Sequence, residues 1–338
     1  MGLNTIWFIL ITVLFTGFFF LEGFDYGVGI LLPFLGKNDE ERRAIINTIG
    51  PFWDANEVWM IVAGGALFAA FPHVYATLFS GFYLALILLI VVLIVRGVGF
   101  EFRSKRQERT WRNFWDWMIF IGSLLPSLLW GVIIGNLMRG LEIAQDMNYY
   151  GGLVPLINLF ALFTGLVFVC LFTMHGVNFL ILKSPDEIGK RAAKICLPVW
   201  IITLVFTVIL IVWTFLITDI LSKPGINGLV PIILAALSLL LTGRLIRTGK
   251  NKWAFFTGSL VIVFLTLTVF FGLYPRILIS TLNPEWNLTI FNASSSQYTL
   301  RIMTIIAAIF IPIVLVYQGW TYWVFRKRID TRSEKLVY

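Results

Sequence analysis

Apolar residues run along this chain in long blocks, broken by short polar stretches. A helix that crosses the hydrocarbon core of a bilayer needs about 20 mostly apolar residues. Nine segments reach that length: 4–34, 51–72, 76–100, 115–138, 153–182, 197–219, 228–247, 253–275 and 299–325. The pattern predicts an all-α polytopic membrane protein with nine transmembrane helices. The first block has no Lys or Arg before it and no small-residue cleavage site. It therefore reads as a retained span and not as a signal peptide.

The stretches between spans alternate in charge. One set carries Lys37, Arg42 and Arg43, then Arg103 to Arg112, Lys183 to Lys194, Arg244 to Lys252, and Arg326 to Lys335; it holds 21 of the 26 basic residues. The other set holds Arg139, Lys223, Arg276 and, at its edge, Arg301. The positive-inside rule places the first set in the cytoplasm. The N-terminus is then expected outside and the C-terminus inside, as nine spans require. Trp111, Trp115, Trp117, Trp253, Trp320 and Trp323 fall near span ends, where aromatic belts sit.

Composition agrees with a bilayer protein. Of 338 residues, 59% are hydrophobic and 13% charged, against about a quarter charged in soluble domains. The net charge of +8 does not point to nucleic acid, because the basic residues sit in short loops without interleaved aromatics. Cys170 and Cys196 have no CxxC context and read as free core thiols. The sequons at Asn287 and Asn292 are short enough to arise by chance.

The chemistry lies in ionisable residues inside apolar blocks: Glu22 and Asp25 in the first, Asp54 and Glu57 in the second, Arg96 and Glu101 at the end of the third. In the alternating topology all fall toward the cytoplasmic face. A charge in hydrocarbon costs a few kcal/mol or more, so such a group is paired or functional. The three-residue spacing puts Glu22 with Asp25, and Asp54 with Glu57, on one helix face each. Gly23, Gly27, Gly29, Gly64, Gly65, Gly97 and Gly99 surround them, and small residues let helices approach closely in lipid. Burial favours protonation of a carboxylate and a neighbouring guanidinium opposes it, so the set could pass protons. It could equally be a buried Asp–Arg latch.

His73 and His175 are the only histidines. They fall at different depths and cannot form an axial pair for one haem. No Walker loop, HExxH or GxSxG is present. No cofactor is expected to bind this chain, and no catalytic or metal site.

Several runs then carry a resemblance. Gly23 to Gly29 (GFDYGVG), Pro51 to Trp59 (PFWDANEVW), Gly64 to Pro72 (GGALFAAFP), Ser80 to Tyr83, Arg96 to Arg103 (RGVGFEFR) and Trp111 to Trp117 (WRNFWDW) resemble subunit II of cytochrome bd, the bacterial quinol oxidase. The match is dense over about residues 15–140; beyond them it is mainly length and span count. The resemblance implies a larger partner, subunit I, that carries haems b and d, oxidises quinol and reduces dioxygen to water. It implies two four-helix bundles plus one peripheral helix. The corresponding divisions are 1–145 with the polar cluster, 146–280, and 281–338 with the outer loop, ninth helix and basic tail. It also implies a multi-pass protein of the bacterial cell membrane, with a small single-span subunit and a bound lipid or quinone as further partners.

In that family the carboxylates of the GFD and WD motifs and the arginine near the end of span three are assigned to a cytoplasmic proton route. Here they are Asp25, Asp54 and Arg96, with Glu22, Glu57 and Glu101 beside them. The family accepts Gln at the position of Glu57, so an obligatory acid is not implied there. Trp53 and Trp59 would wall the route or pack against the partner. The rival reading is a secondary cation or proton transporter using the same carboxylates, which predicts inverted repeats and broken helices near the midplane.

Overall fold

The apolar blocks fold as helices, because only internally paired backbone is stable in lipid. The structure is a computed structural model that describes residues 2–184 and 186–329. Arg332 and Lys335 of the basic tail lie outside the described residues. Eleven α-helices are present among the described residues: α1 (Leu3–Leu35), α2 (Asp39–Ile49), α3 (Trp53–Ala70), α4 (Pro72–Gly81), α5 (Tyr83–Phe102), α6 (Arg109–Arg139), α7 (Leu159–Lys183), α8 (Asp186–Ile217), α9 (Leu229–Arg247), α10 (Asn251–Leu273) and α11 (Gln297–Val324).

Eight of these are long and apolar enough to cross a membrane. The remaining expected span, 51–72, is α3. Asp54, Asn56 and Glu57 make its first turns polar, and it stops at Phe71. Its 18 residues give a length of about 27 Å. The third expected span begins later than the hydropathy suggests. Pro72 opens a separate short helix, α4, and α5 starts only at Tyr83.

The stretch between the first two spans is also a helix, α2. Asn38 caps it by accepting from the Glu41 N–H at 2.9 Å, and Asp39, Glu40 and Glu41 occupy the first turn. Both devices satisfy the orphan N–H groups and the dipole of a helix start.

Helix α1 is the hub, packed on α3, α6, α7 and α10. Its approach to α7 is backbone to backbone. A Cβ on Gly27 would collide with the Phe172 carbonyl oxygen, and one on Gly176 with Gly27 itself. Gly64 and Gly65 behave differently from the expectation, since no other helix lies within 4 Å of a Cβ built there. They line an apolar cavity of about 450 Å³ with Phe8, Trp130 and Phe270. Helix α11 is peripheral: only Leu300 and Gln318 are buried.

The end of the bundle away from this cavity carries the basic loops and is held by ions. Arg103 and Asp116 are each 1% exposed. Arg103 Nε donates to Asp116 at 2.6 Å and its Nη2 to Asp39 at 2.9 Å, while Arg42 reaches Asp116 at 2.8 Å and Arg112 reaches Asp39 at 2.5 Å. This network joins α2, the end of α5 and the start of α6. Glu41 pairs with Arg191 of α8 at 2.6 Å. Burial pushes the Glu41 carboxyl up, but Arg191 and the Lys37 N–H outweigh it and hold it below the usual carboxylate range.

At the opposite end, residues 276–298 form a cap. Strands β1 (Arg276–Leu278) and β2 (Leu288–Thr289) pair antiparallel. Leu141 exchanges backbone bonds with Ile279 and Thr281, and Ser280 Oγ donates to the Ile143 carbonyl at 2.6 Å. Asn287 and Asn292 are structural here, accepting from the Ser280 and Thr289 N–H groups.

Removing one member of a buried ion pair leaves the other uncompensated, which costs about 3–5 kcal/mol. Asp116→Asn should therefore lower the thermal midpoint of the detergent-solubilised protein, whereas Glu108→Gln, at an exposed position, should not. An unchanged midpoint in Asp116→Asn would show the network to be ornamental. The Glu41 pair makes a separate forecast. A depressed carboxyl adds stability that is present above its unfolded value of about 4.3 and is lost as pH falls through the lower folded value. Glu41→Gln should thus lower the midpoint near neutral pH, and the difference should shrink as the solution is acidified.

Candidate functional site

Helix α5 is a nearly unbroken apolar run until Arg96, six residues before its end. That arginine is 0% exposed. It fits because α6 offers Gly122, where a Cβ would sit 2.6 Å from the Arg96 Cβ. The guanidinium then reaches α1. Arg96 Nη1 donates to Glu22 Oε1 at 2.5 Å, with both side chains fully buried. Glu57 of α3 stands 3.6 Å from the same nitrogen, an ion-pair distance beyond a hydrogen bond. The Tyr26 and Phe100 rings lie 4.8 Å and 5.2 Å from the guanidinium carbon. This is cation–π geometry in a dry setting, where it is worth about 2 kcal/mol.

Asp25 lies one turn from Glu22 and is also fully buried. The Glu22 carboxyl is one partner, and Asn56 of α3 is the other: Asn56 Nδ2 donates to Asp25 Oδ2 at 2.7 Å. On its other side Asn56 Oδ1 accepts from Tyr322 Oη at 2.8 Å and Gln318 Nε2 at 3.2 Å, both on α11. Trp59 Nε1 donates to Gln318 Oε1 at 2.7 Å. Tyr322 stacks on Phe52, centroids 4.5 Å apart.

The structure thus brings together four of the six residues expected from sequence: Glu22, Asp25, Glu57 and Arg96. Asp54 and Glu101 are exposed and make no ion pair among the described residues. The arginine's closest acid is Glu22 and not an aspartate, so the expected Asp–Arg latch is a Glu–Arg pair. Asn56, Gln318, Tyr322 and Tyr26 were not anticipated. Their signal in the sequence was weak: single neutral polar groups in apolar helices.

Several polar atoms here have no hydrogen-bond partner among the described residues. They are Arg96 Nε and Nη2, Glu22 Oε2, Asp25 Oδ1, Glu57 Oε2 and the Tyr26 hydroxyl. Buried polar groups are normally paired; here several unpaired ones are grouped around one guanidinium. One guanidinium balances one carboxylate. Glu22, Asp25 and Glu57 fully ionised would leave surplus negative charge out of water, at several kcal/mol per ion.

His175 Nε2 faces the Phe20 carbonyl oxygen at 3.1 Å and its ring stacks on Phe255 at 4.8 Å. A carbonyl only accepts, so Nε2 carries the proton. His73 is exposed at the start of α4. Cys170 and Cys196 are free thiols, the second buried.

Comparison with known proteins gives the architecture its family. Residues 3–325 match the model of the cytochrome bd terminal oxidase subunit II family. The chain is 39% identical over 337 residues to cytochrome bd ubiquinol oxidase subunit 2 of Bacillus subtilis, covering 100% of this chain and 99% of the relative. It is 39% identical over 362 residues to cytochrome bd-I ubiquinol oxidase subunit 2 of Escherichia coli, covering 95% and 93%. A chain of the bd oxidase from Geobacillus thermodenitrificans superposes with a TM-score of 0.77 at 16% identity, over 97% of this chain and 100% of that one. An ion-paired, carboxylate-rich site in a bundle of apolar helices is thus carried by a chain that belongs to the cytochrome bd terminal oxidase subunit II family, a component of an oxidoreductase complex.

Proposed function

We propose that this chain is the accessory membrane subunit of a quinol:dioxygen oxidoreductase and that it supplies part of the proton path for reduction of dioxygen to water. The partner is a larger subunit I carrying haems b and d and oxidising quinol. The observation that carries the proton role is the surplus of buried carboxyl groups around one guanidinium, with unpartnered polar atoms on Glu22, Asp25 and Arg96. In this reading the basic end of the bundle faces the cytoplasm, the N-terminus lies outside, and α3 is the ninth span. The peripheral position of α11 supports two four-helix bundles plus one helix, divided at about 145 and 280. A small single-span subunit and a bound lipid or quinone are further expected partners. Family membership does not favour the transporter alternative.

Roles follow from placement. Asp54 and Glu101 are exposed at the entrance and collect protons. Glu57, half-buried, stands between Asp54 and Arg96. Glu22 and Asp25 hold protons inside. Arg96 is the countercharge that keeps one carboxylate ionised and orders water.

Asp25→Asn keeps size and shape but removes the proton site. Oxygen consumption by the purified complex should fall on the order of a hundredfold, the scale of a lost acid–base group, with haem bands and subunit I retained. Asp54→Asn should cost less, because water can replace an exposed collector. Normal turnover in Asp25→Asn would remove the proton role. The latch reading makes the opposite forecast, and Glu22 is its relevant partner. A buried pair replaced by apolar groups is often neutral, while half a pair is strongly destabilising. If Glu22→Leu with Arg96→Leu restores both assembly and turnover lost in each single variant, the pair is a latch only. If assembly returns and turnover does not, the proton path stands.

A further inference from the structure

Helix α11 touches the rest of the chain so little that its buried side chains stand out. The window that could cross the membrane is 6% buried, yet Gln318 is 9% exposed and points into α3. It does not merely fill space. It is the middle of a run of hydrogen bonds that ends on Asp25.

The polarity of that run is fixed at both ends. An indole N–H only donates. Trp59 Nε1 lies 2.7 Å from Gln318, so the oxygen of the Gln318 amide must face it. The Gln318 nitrogen then faces Asn56, 3.2 Å away, and the Asn56 oxygen must receive it. That leaves the Asn56 nitrogen toward α1, where it meets Asp25 Oδ2 at 2.7 Å and the Leu21 carbonyl at 3.4 Å. A backbone carbonyl only accepts, so the far end demands the same order as the near end. Side-chain amides are oriented by their network, and here a donor-only group and an acceptor-only group agree. Tyr322 adds a second donor to the Asn56 oxygen at 2.8 Å. Trp59 is itself seated over Gly17 of α1, where any Cβ would meet its ring at 2.5 Å.

We propose that Trp59 and Gln318 are positioning residues for Asp25: they lock the Asn56 amide with its N–H toward the carboxylate, so that Oδ2 is held and Oδ1, which no donor reaches among the described residues, is left to exchange a proton. This rests on the reading of Asp25 as a proton carrier. Neither an indole nor a carboxamide relays protons, so the branch does not conduct. It orients and insulates. Were Gln318 lost, the Asn56 oxygen would keep only Tyr322 as a donor, and the hold on its N–H toward Asp25 would loosen. Chains of hydrogen bonds also polarise one another, so the last donor is strengthened by those behind it.

The test uses the whole oxidase complex and a membrane-permeant carbodiimide, which modifies protonated carboxyl groups in apolar surroundings. Peptide mass spectrometry reads labelling at Asp25, with Glu22 one turn away as internal reference. A donor to a carboxylate favours its ionised form. Gln318→Leu and Trp59→Phe should therefore each raise the Asp25 to Glu22 labelling ratio about fivefold, the factor one net hydrogen bond is worth. Leu300→Ala, which loosens α11 at its other buried contact, should leave the ratio unchanged. Haem content checks that each variant assembles. A ratio that stays at the unsubstituted value in both Gln318→Leu and Trp59→Phe overturns the proposal, as does an equal rise in Leu300→Ala. Full oxygen consumption in Asp25→Asn would instead fell the proton reading alone, and the labelling ratio would still decide whether the donor chain acts on Asp25.

Discussion

A guanidinium with no exposed surface sits in the interior of an apolar bundle, and the surrounding structure answers to it. Arg96 could not be placed there without an anion, and Glu22 supplies one at 2.5 Å. Taking two charges out of water costs several kcal/mol per ion, and contact restores that only when the geometry is good and other groups help. Tyr26 and Phe100 present ring faces to the cation. Gly122 lets α5 lie close enough on α6 for the arginine to reach α1. These requirements fix α1, α5 and α6 relative to one another.

The motif recurs just past the end of α5. Arg103 follows Arg96 by seven residues, which returns to nearly the same helical face. Antiparallel α6 carries Gly122 opposite the first arginine and Asp116 opposite the second. The two arginines solve different problems. Arg103 is at the basic end and shares its acids, Asp116 and Asp39, with Arg42 and Arg112, so that network has arginines in excess. Arg96 stands among three carboxyls and is the minority charge. The rim network is suited to locking the helix ends. The inner site, with acid to spare, is the one on which the proposed proton path rests.

The bundle and the charged set were legible in the sequence because a charge in an apolar run is conspicuous. Their pairing was not. Asp54 and Glu57 share a three-residue spacing, yet at the start of α3 Asp54 is exposed and only Glu57 faces Arg96. The first turn of a helix mixes polar and apolar residues on every side, so hydrophobic periodicity gives no phase there. Helix α2 was hidden for a related reason: it lies in a polar stretch, and only Asn38 followed by three acids announced it. The break at Phe71 was hidden by apolarity on both sides of it, and Pro72, which can open a helix as readily as it ends one, read only as the end of span two.

Neutral polar groups were the least legible part of the site. An isolated amide in a span costs less than a charge, so it leaves a fainter mark in composition, but once buried it needs partners as strictly. Gln318 and Tyr322, four residues apart on α11, and Asn56 and Trp59, three apart on α3, each share a helix face. Sequence spacing could at most pair them within their own helices. That they form one directional line across two helices toward a third depends on which atom of each amide faces which neighbour. A donor-only indole at one end settles that question for the whole line. The charges determine where the helices meet, and the direction of this neutral chain determines which oxygen of Asp25 remains available.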